Sequence, residues 1–228
     1  MKKIVAIFDI DGTIIHPNSS NIFYNYLIAH GEIRLKNHLN YIKFFFKNSL
    51  KDIIIATKGN FHYLKGKEYS HLCKLGQNCF KEKIVSEILP NAIKKIEEHR
   101  RLGHELVLLS GTTDILLKEF QKYLRIEKAF GSVLETKDGI VTGNIASIFA
   151  YGKNKPEIIK KNFGPDTYEF KESYTYANSE SDFSLFELFG HPVLVNPKTR
   201  KLISLARKRN IVIEYFIIFV LLLPFFLL

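Results

Sequence analysis

Asp9 and Asp11 stand one residue apart at the end of an apolar run, in IFDIDGTII. Two carboxylates so placed repel each other and lose hydration. Such a pair persists when a cation neutralises it or when one carboxylate does chemistry. The bland alternative is a strand that ends in an ordinary Asx turn. Three further stretches carry groups that fit a single reaction: Ser110-Gly111-Thr112, Lys153 to Lys155, and Asn178 to Asp182. They add a hydroxyl with backbone amides at a helix start, an ammonium and a third carboxylate. This set suits phosphoryl transfer from a monoester. One aspartate attacks phosphorus, and its neighbour protonates the leaving alkoxide and then activates water. A cation, a lysine and N–H donors carry the charge on the phosphoryl oxygens. Hard oxygen ligands point to Mg²⁺ rather than zinc.

The elements that must position these groups alternate along the chain. Lys3 to Phe8 reads as a buried parallel strand, and Gly12 lets the backbone turn sharply behind it. Residues 16 to 85 have helix-like apolar spacing and many aromatics, and read as a helical insertion. Pro90 opens a helix that stops at Gly103. HELVLLS is a second buried strand, TDILLKEFQKYL a helix, and LETKDGIVTGNI a hairpin around Asp138-Gly139. KPEIIKKNF and FSLFELFG read as helices, VLVNP as a short strand, and KTRKLISLARKR as a basic amphipathic helix. This alternation predicts an α/β fold with a doubly wound parallel sheet. Ligands of such sheets bind outside the carboxyl ends of the strands, where all four stretches can meet.

The chain of 228 residues is long enough for one full domain with an insertion. Cys73 and Cys79 lack metal-site spacing, which fits a reducing, cytoplasmic setting without disulfides. The net charge of +10 suggests an anionic partner, although a lysine-rich composition alone would produce it. No nucleic-acid-binding motif accompanies the scattered lysines. The first strand begins almost at Met1, leaving no room for a signal peptide. From Ile211 to Leu228 the only charge is Glu214, and Arg200, Lys201, Arg207, Lys208 and Arg209 precede this run. Eighteen helical residues reach about 27 Å, near the lower limit for a bilayer span. The expectation is a membrane-associating tail over 211–228, with the cytoplasmic domain before it. The competing reading makes IVIEYF the last strand and leaves too short a remainder to span.

The motifs together resemble the haloacid dehalogenase superfamily, in particular its phosphoserine-phosphatase-like subfamily. DIDGT matches the first motif, LLSGT the second and NSESD the fourth, and GKNK falls where the third-motif lysine is expected. The resemblance implies a core over 1–15 and 86–210 with a helical cap over 16–85. It implies Asp9 as nucleophile and Asp11 as general acid/base. Ser110 and the amide of Gly111 hold the phosphoryl group, and Lys155 orients the nucleophile. Mg²⁺ is held by Asp9, the carbonyl of Asp11, Asn178 and Asp182. Lys153 competes with Lys155, and the spacing from Gly152 favours Lys155. Many relatives carry aspartate where Asn178 stands, so metal affinity is expected to be weaker, with Glu180 in reach to assist.

The expected substrate is a phosphorylated small molecule or lipid. The cap has no acidic residue before Glu32 to meet an ammonium, and Arg34 is its only arginine. The aromatic-rich cap and the apolar tail favour a membrane-associated phosphate ester. The alternatives are a phosphoserine or other small-metabolite phosphatase, a phosphotransferase, and a membrane-tethered binding protein with a degenerate site. None of the eight histidines has Asp five positions later, so the H-x-x-x-x-D acyltransferase motif of some relatives is missing.

Overall fold

The computed structural model describes residues 2–217. Its framework is a six-stranded parallel sheet in the order β3-β2-β1-β6-β7-β8. Strand β1 (Val5–Phe8) sits between β2 (Glu105–Thr113) and β6 (Tyr174–Ala177). It is buried on both faces. Ala6 and Phe8 pack into one hydrophobic cluster, and Val5 and Ile7 into another. That double burial is why the strand reads as an unbroken apolar run. Beyond β2 lies β3 (Lys128–Ser132), and beyond β6 lie β7 (His191–Val195) and β8 (Val212–Glu214). The chain leaves β1 toward β2 and β3 and then returns to β1's other side at β6. The order of strands therefore switches beside Asp9.

Between β1 and β2 the chain forms helices α1 (Ser19–Ala29), α2 (Leu35–Asn48), α3 (Ile53–Thr57) and α4 (Tyr69–Cys79). Helix α5 (Pro90–Arg101) follows, with its proline in the first turn, where no intrahelical donor is lost. Helix α6 (Asp114–Leu124) leads from β2 to β3. The antiparallel pair β4 (Leu134–Lys137) and β5 (Ile140–Ile145) turns through Asp138-Gly139, both at positive φ. Gly143 in β5 lies against the backbone of His62, too close to admit a side chain. The hairpin is thereby seated against the α-helical insertion. Helices α7 (Asn154–Asn162), α8 (Phe183–Phe186) and α9 (Arg200–Lys208) complete the second layer.

Two sequence expectations change, and a third element, β3, was not read from the sequence at all. The FSLFELFG helix closes after one turn as α8. Strand β3 carries little apolar signal and exists through its pairing with β2, Leu108 opposite Ala129 and Leu109 opposite Phe130. Gly131 is required there because a Cβ would strike Leu117 and the carbonyl of Thr112. The second change concerns the tail. Val212–Glu214 pair in parallel with Val193–Val195, so Ile211 to Leu228 is not one membrane-associating helix. The competing strand reading holds for this part, and residues 218–228 lie outside the described residues. Among the described residues no helix is long and apolar enough to cross a membrane.

Candidate active site

The site lies at the carboxyl ends of β1, β2 and β6, under the helices inserted after β1. Asp9 follows β1 directly, and its N–H donates to the carbonyl of Tyr176 on β6 at 2.9 Å. The chain then reverses at Gly12 (φ +82°), against which the Asn178 side chain packs. Glycine suits this position for its φ, and a Cβ there would displace the Asn178 amide. The carbonyl of Gly12 accepts from Asn196 Nδ2 at 3.2 Å. Asn196 Oδ1 in turn accepts the N–H of Phe216 at 2.8 Å. Asn196, itself at positive φ, therefore ties the β1 turn to the segment after β8. No local signal marks it, because its partners are far away in sequence.

Lys155 emerges from the first turn of α7 and is buried, 3% exposed. Its Nζ lies 3.2 Å from Asp9 Oδ1 and 2.7 Å from Asp182 Oδ1. Asp182 is held by Ser179 Oγ, which donates to Oδ2 at 2.8 Å. Lys153 is exposed, and Lys155 is the lysine that lies between the two carboxylates. Glu180 is exposed as well and faces Lys201 at 3.3 Å, away from the other carboxylates.

Asp11 belongs to a different network. Its Oδ1 accepts the N–H of Ser19 at the start of α1, 2.7 Å away, and its Oδ2 accepts the hydroxyl of Thr112 at 3.2 Å. Ser110 Oγ lies 3.1 Å from Thr112 Oγ1, so Asp11, Thr112 and Ser110 form a chain of hydroxyls and carboxylate. Thr112 was part of the sequence stretch, but its bond to Asp11 is visible only in three dimensions.

Burial raises the pKa of Asp9 to about 7; Lys155 opposes this shift, and Asp182 and Asp11 add to it. Burial also raises Asp11, against hydrogen bonds from Ser19 and Thr112. Lys155 is raised well above the usual lysine range: burial works against its charge, and the carboxylates of Asp182 and Asp9 outweigh that cost. The buried centre thus holds three carboxyl groups against a single ammonium, an imbalance that suits one divalent cation. Among the described residues, no three carboxylate, imidazole or thiolate side chains converge to enclose a metal by themselves. A cation here would also draw on neutral oxygens, those of the Asp11 carbonyl and the Asn178 amide, a donor set of the hard kind that Mg²⁺ prefers.

These groups open into a cavity of about 580 Å³. Its floor is Asp9, Asp11, Gly12, Ser110, Gly111, Lys155, Asn178 and Asp182. Its roof comes from the inserted helices and their loops: His16, Asn18, Asn21, Tyr24, His38, Tyr41, Lys58, Asn60, Phe61 and Tyr63. Phe149 and Tyr151, stacked at 5.6 Å, form one wall, and Lys198 stands at the edge. Sequence reading did not single out that wall. Arg34 and Glu32 do not line the cavity: Arg34 is exposed, and Glu32 bonds Lys67 at 3.0 Å and His71 at 2.7 Å.

The family model of haloacid dehalogenase-like hydrolases matches residues 6–187. The chain belongs to this family. Over 90% of its length it is 25% identical to a Mycobacterium tuberculosis protein named phosphoserine phosphatase SerB1, covering 68% of that protein. It is 28% identical to a Neisseria meningitidis histidinol-phosphatase, over 86% of this chain and 91% of that one. Among solved structures, a Bordetella pertussis protein of unknown function superposes with a TM-score of 0.81 at 16% identity, covering 95% of this chain and all of that one. A phospho-aspartyl intermediate analogue of phosphoserine phosphatase gives a TM-score of 0.65 at 20% identity, with 94% of both chains covered. The family and its named relatives make the chain a phosphatase of the phosphoserine-phosphatase-like kind, with the α/β core of that fold.

Proposed function

We propose that the protein hydrolyses phosphomonoesters through a phospho-aspartyl intermediate on Asp9, with Mg²⁺ as cofactor. The observation that carries this reading is the placement of Lys155, which bridges Asp9 and Asp182 at the floor of the cavity while Asp11 is held apart by Ser19 and Thr112. Two neighbouring carboxyl groups in different surroundings can take different roles. Asp9, drawn toward the carboxylate by the ammonium of Lys155, attacks phosphorus as the ester P–O bond breaks. Asp11, raised by burial, gives its proton to the departing alkoxide. In the second half Asp11 takes a proton from water. The resulting hydroxide attacks phosphorus, and the Asp9–phosphorus bond breaks to release phosphate. Ser110 Oγ and the N–H of Gly111 hold the phosphoryl oxygens. Bound between Asp9, Asp182, the carbonyl of Asp11 and Asn178, Mg²⁺ would supply positive charge to those oxygens.

The roof narrows the substrate. Phosphoserine and histidinol phosphate, the esters that the relatives' names indicate, both carry an amino group. Among the described residues the roof supplies no carboxylate to meet one; it offers phenols, amides, His16, His38 and Lys58. The substrate class that fits is a phosphomonoester whose remainder is neutral or anionic, a class that includes esters presented by a lipid.

Phosphate release from an aryl phosphate, with Mg²⁺ and with EDTA, tests the mechanism. Turnover should need the metal and fall at least ~10³-fold in Asp9→Asn. Persistent turnover in folded Asp9→Asn would refute the intermediate. A substrate panel then tests the roof: faster turnover of phosphoserine than of sugar or glycerol phosphates would refute the substrate class.

A further inference from the structure

Helix α2 is unusual in having no fully buried residue over its fourteen positions. One side, with Tyr41, Phe44 and Phe45, is half-buried, and the Phe44 ring stacks on His62 at 3.9 Å. The other side is exposed and apolar. Leu35, Leu39, Ile42 and Phe46 recur at steps of four, three and four, so they form one stripe along the helix. Their exposures are 75%, 44%, 46% and 73%. The apolar series continues beyond the helix with Leu50 at 98% and, on α3, Ile53 at 54% and Ile54 at 44%. Scattered exposed apolar side chains need no explanation, but four at helical spacing along one face of α2, with three more exposed in the segment that follows, do.

The charges beside the row indicate its partner. Lys36, Lys43 and Lys47 are exposed and fall on one flank of the stripe by the same helical spacing. From residue 34 to residue 58 the chain carries six lysines and arginines and one acid, Asp52. A second copy of the chain would bring like charges together across a two-fold axis, which disfavours self-association. An anionic bilayer satisfies both halves of the face: the leucines, isoleucines and phenylalanine enter the headgroup boundary while the lysines meet lipid phosphates.

We propose that the outward face of α2 and α3 is an interfacial docking surface for an anionic lipid bilayer. It is distinct from the tail after β8 and independent of the catalytic reading. The same two helices supply His38, Tyr41 and Thr57 to the cavity, and Lys58 directly after α3 joins them. Docking would therefore set the roof of the cavity at the lipid surface.

The test is co-sedimentation of the full chain with phosphatidylcholine vesicles, with and without phosphatidylglycerol, at low and high salt. Binding should need the anionic lipid and weaken with salt. The double variant Phe46→Glu/Leu50→Glu should lose at least ~10-fold in binding, and Lys43→Glu/Lys47→Glu a comparable amount. Both pairs are exposed, so the thermal midpoint should match that of the parent, and this is checked first. Three results would overturn the proposal. The first is no binding to anionic vesicles. The second is binding unchanged in both double variants, which would place the contact elsewhere on the chain. The third is a dimer in solution that Phe46→Glu/Leu50→Glu converts to monomer without any vesicle binding.

Discussion

The floor and the roof of the cavity are built by different rules. On the floor, Asp9, Ser110, Lys155 and Asp182 are buried and bonded to one another or to their neighbours across the ends of three strands. On the roof, Tyr24, His38, Tyr41, Lys58 and Asn60 come from the inserted helices and the loops between them, and Lys58 is exposed. Charges on the floor cannot move without leaving a buried partner unpaired, and on the proposed reading they sit where every phosphomonoester presents the same group. On the proposed reading the roof meets the variable part of the substrate, while its Phe61 is buried in the same hydrophobic cluster as Phe8 of β1. The contrast separates chemistry from specificity, and variants on the two sides should fail in different ways.

The largest effect is expected on the floor. Lys155→Met removes the cation shared by Asp9 and Asp182 and should lower kcat by about 10²–10³-fold. It should also lower the thermal midpoint, because two buried carboxylates are left without their counter-charge. Loss of midpoint without loss of kcat would make the lysine structural alone.

A smaller floor effect concerns the metal. Asn178→Asp adds a charge to a donor set that has a neutral oxygen at that position, and should lower the Mg²⁺ concentration for half-maximal activity about tenfold. An unchanged metal requirement would remove Asn178 from the ligand set. On the roof, Lys58→Ala should raise KM about three- to tenfold for an anionic substrate, with kcat within about twofold. A fall in kcat with constant KM would mean that the roof takes part in chemistry and would erase the distinction.

The smallest effect lies away from both. His99 is buried, with Nε2 2.8 Å from the Tyr176 hydroxyl and Nδ1 2.7 Å from His104 Nδ1. Burial, assisted by the nearby charge of His104, lowers its pKa to about 4. Burial lowers His104 as well. A histidine depressed in the folded state contributes its full stability above the unfolded value near 6.5 and loses it as pH falls toward 4. Buried Asp9, raised to about 7, works in the opposite sense, so the measurement is a difference. The drop in thermal midpoint between neutral pH and pH of about 5 should be a few degrees smaller in His99→Gln than in the parent. Equal drops would show that the imidazole is not the titrating group.

Much of the fold was legible because its signals are local. The doubly buried β1, the proline opening α5, and the hairpin turn at Asp138-Gly139 each follow from the types and spacing of a few adjacent residues. Strand β3 was not legible, because Lys128–Ser132 becomes a strand only through β2. For the tail, an apolar run such as IVIEYF reads equally well as helix or strand until the edge of β7 is there to pair with it. The site divides in the same way. The positions of Asp9, Asp11, Ser110 and Asp182 could be read as strand ends and helix starts, whereas the use of Thr112, Asn196 and the Phe149–Tyr151 wall could not.

The sequence by itself determined the chemistry on offer and the strand ends that carry it, since a carboxylate pair before Gly12 and Thr13 is written in consecutive residues. Only the tertiary structure decided which lysine lies between Asp9 and Asp182, which oxygens share its charge, that Glu32 and Arg34 stay out of the cavity, and which side of α2 is left facing outward. These depend on contacts between residues far apart in the chain, and burial, which sets the strength of every charge in the site, is a property of the folded whole.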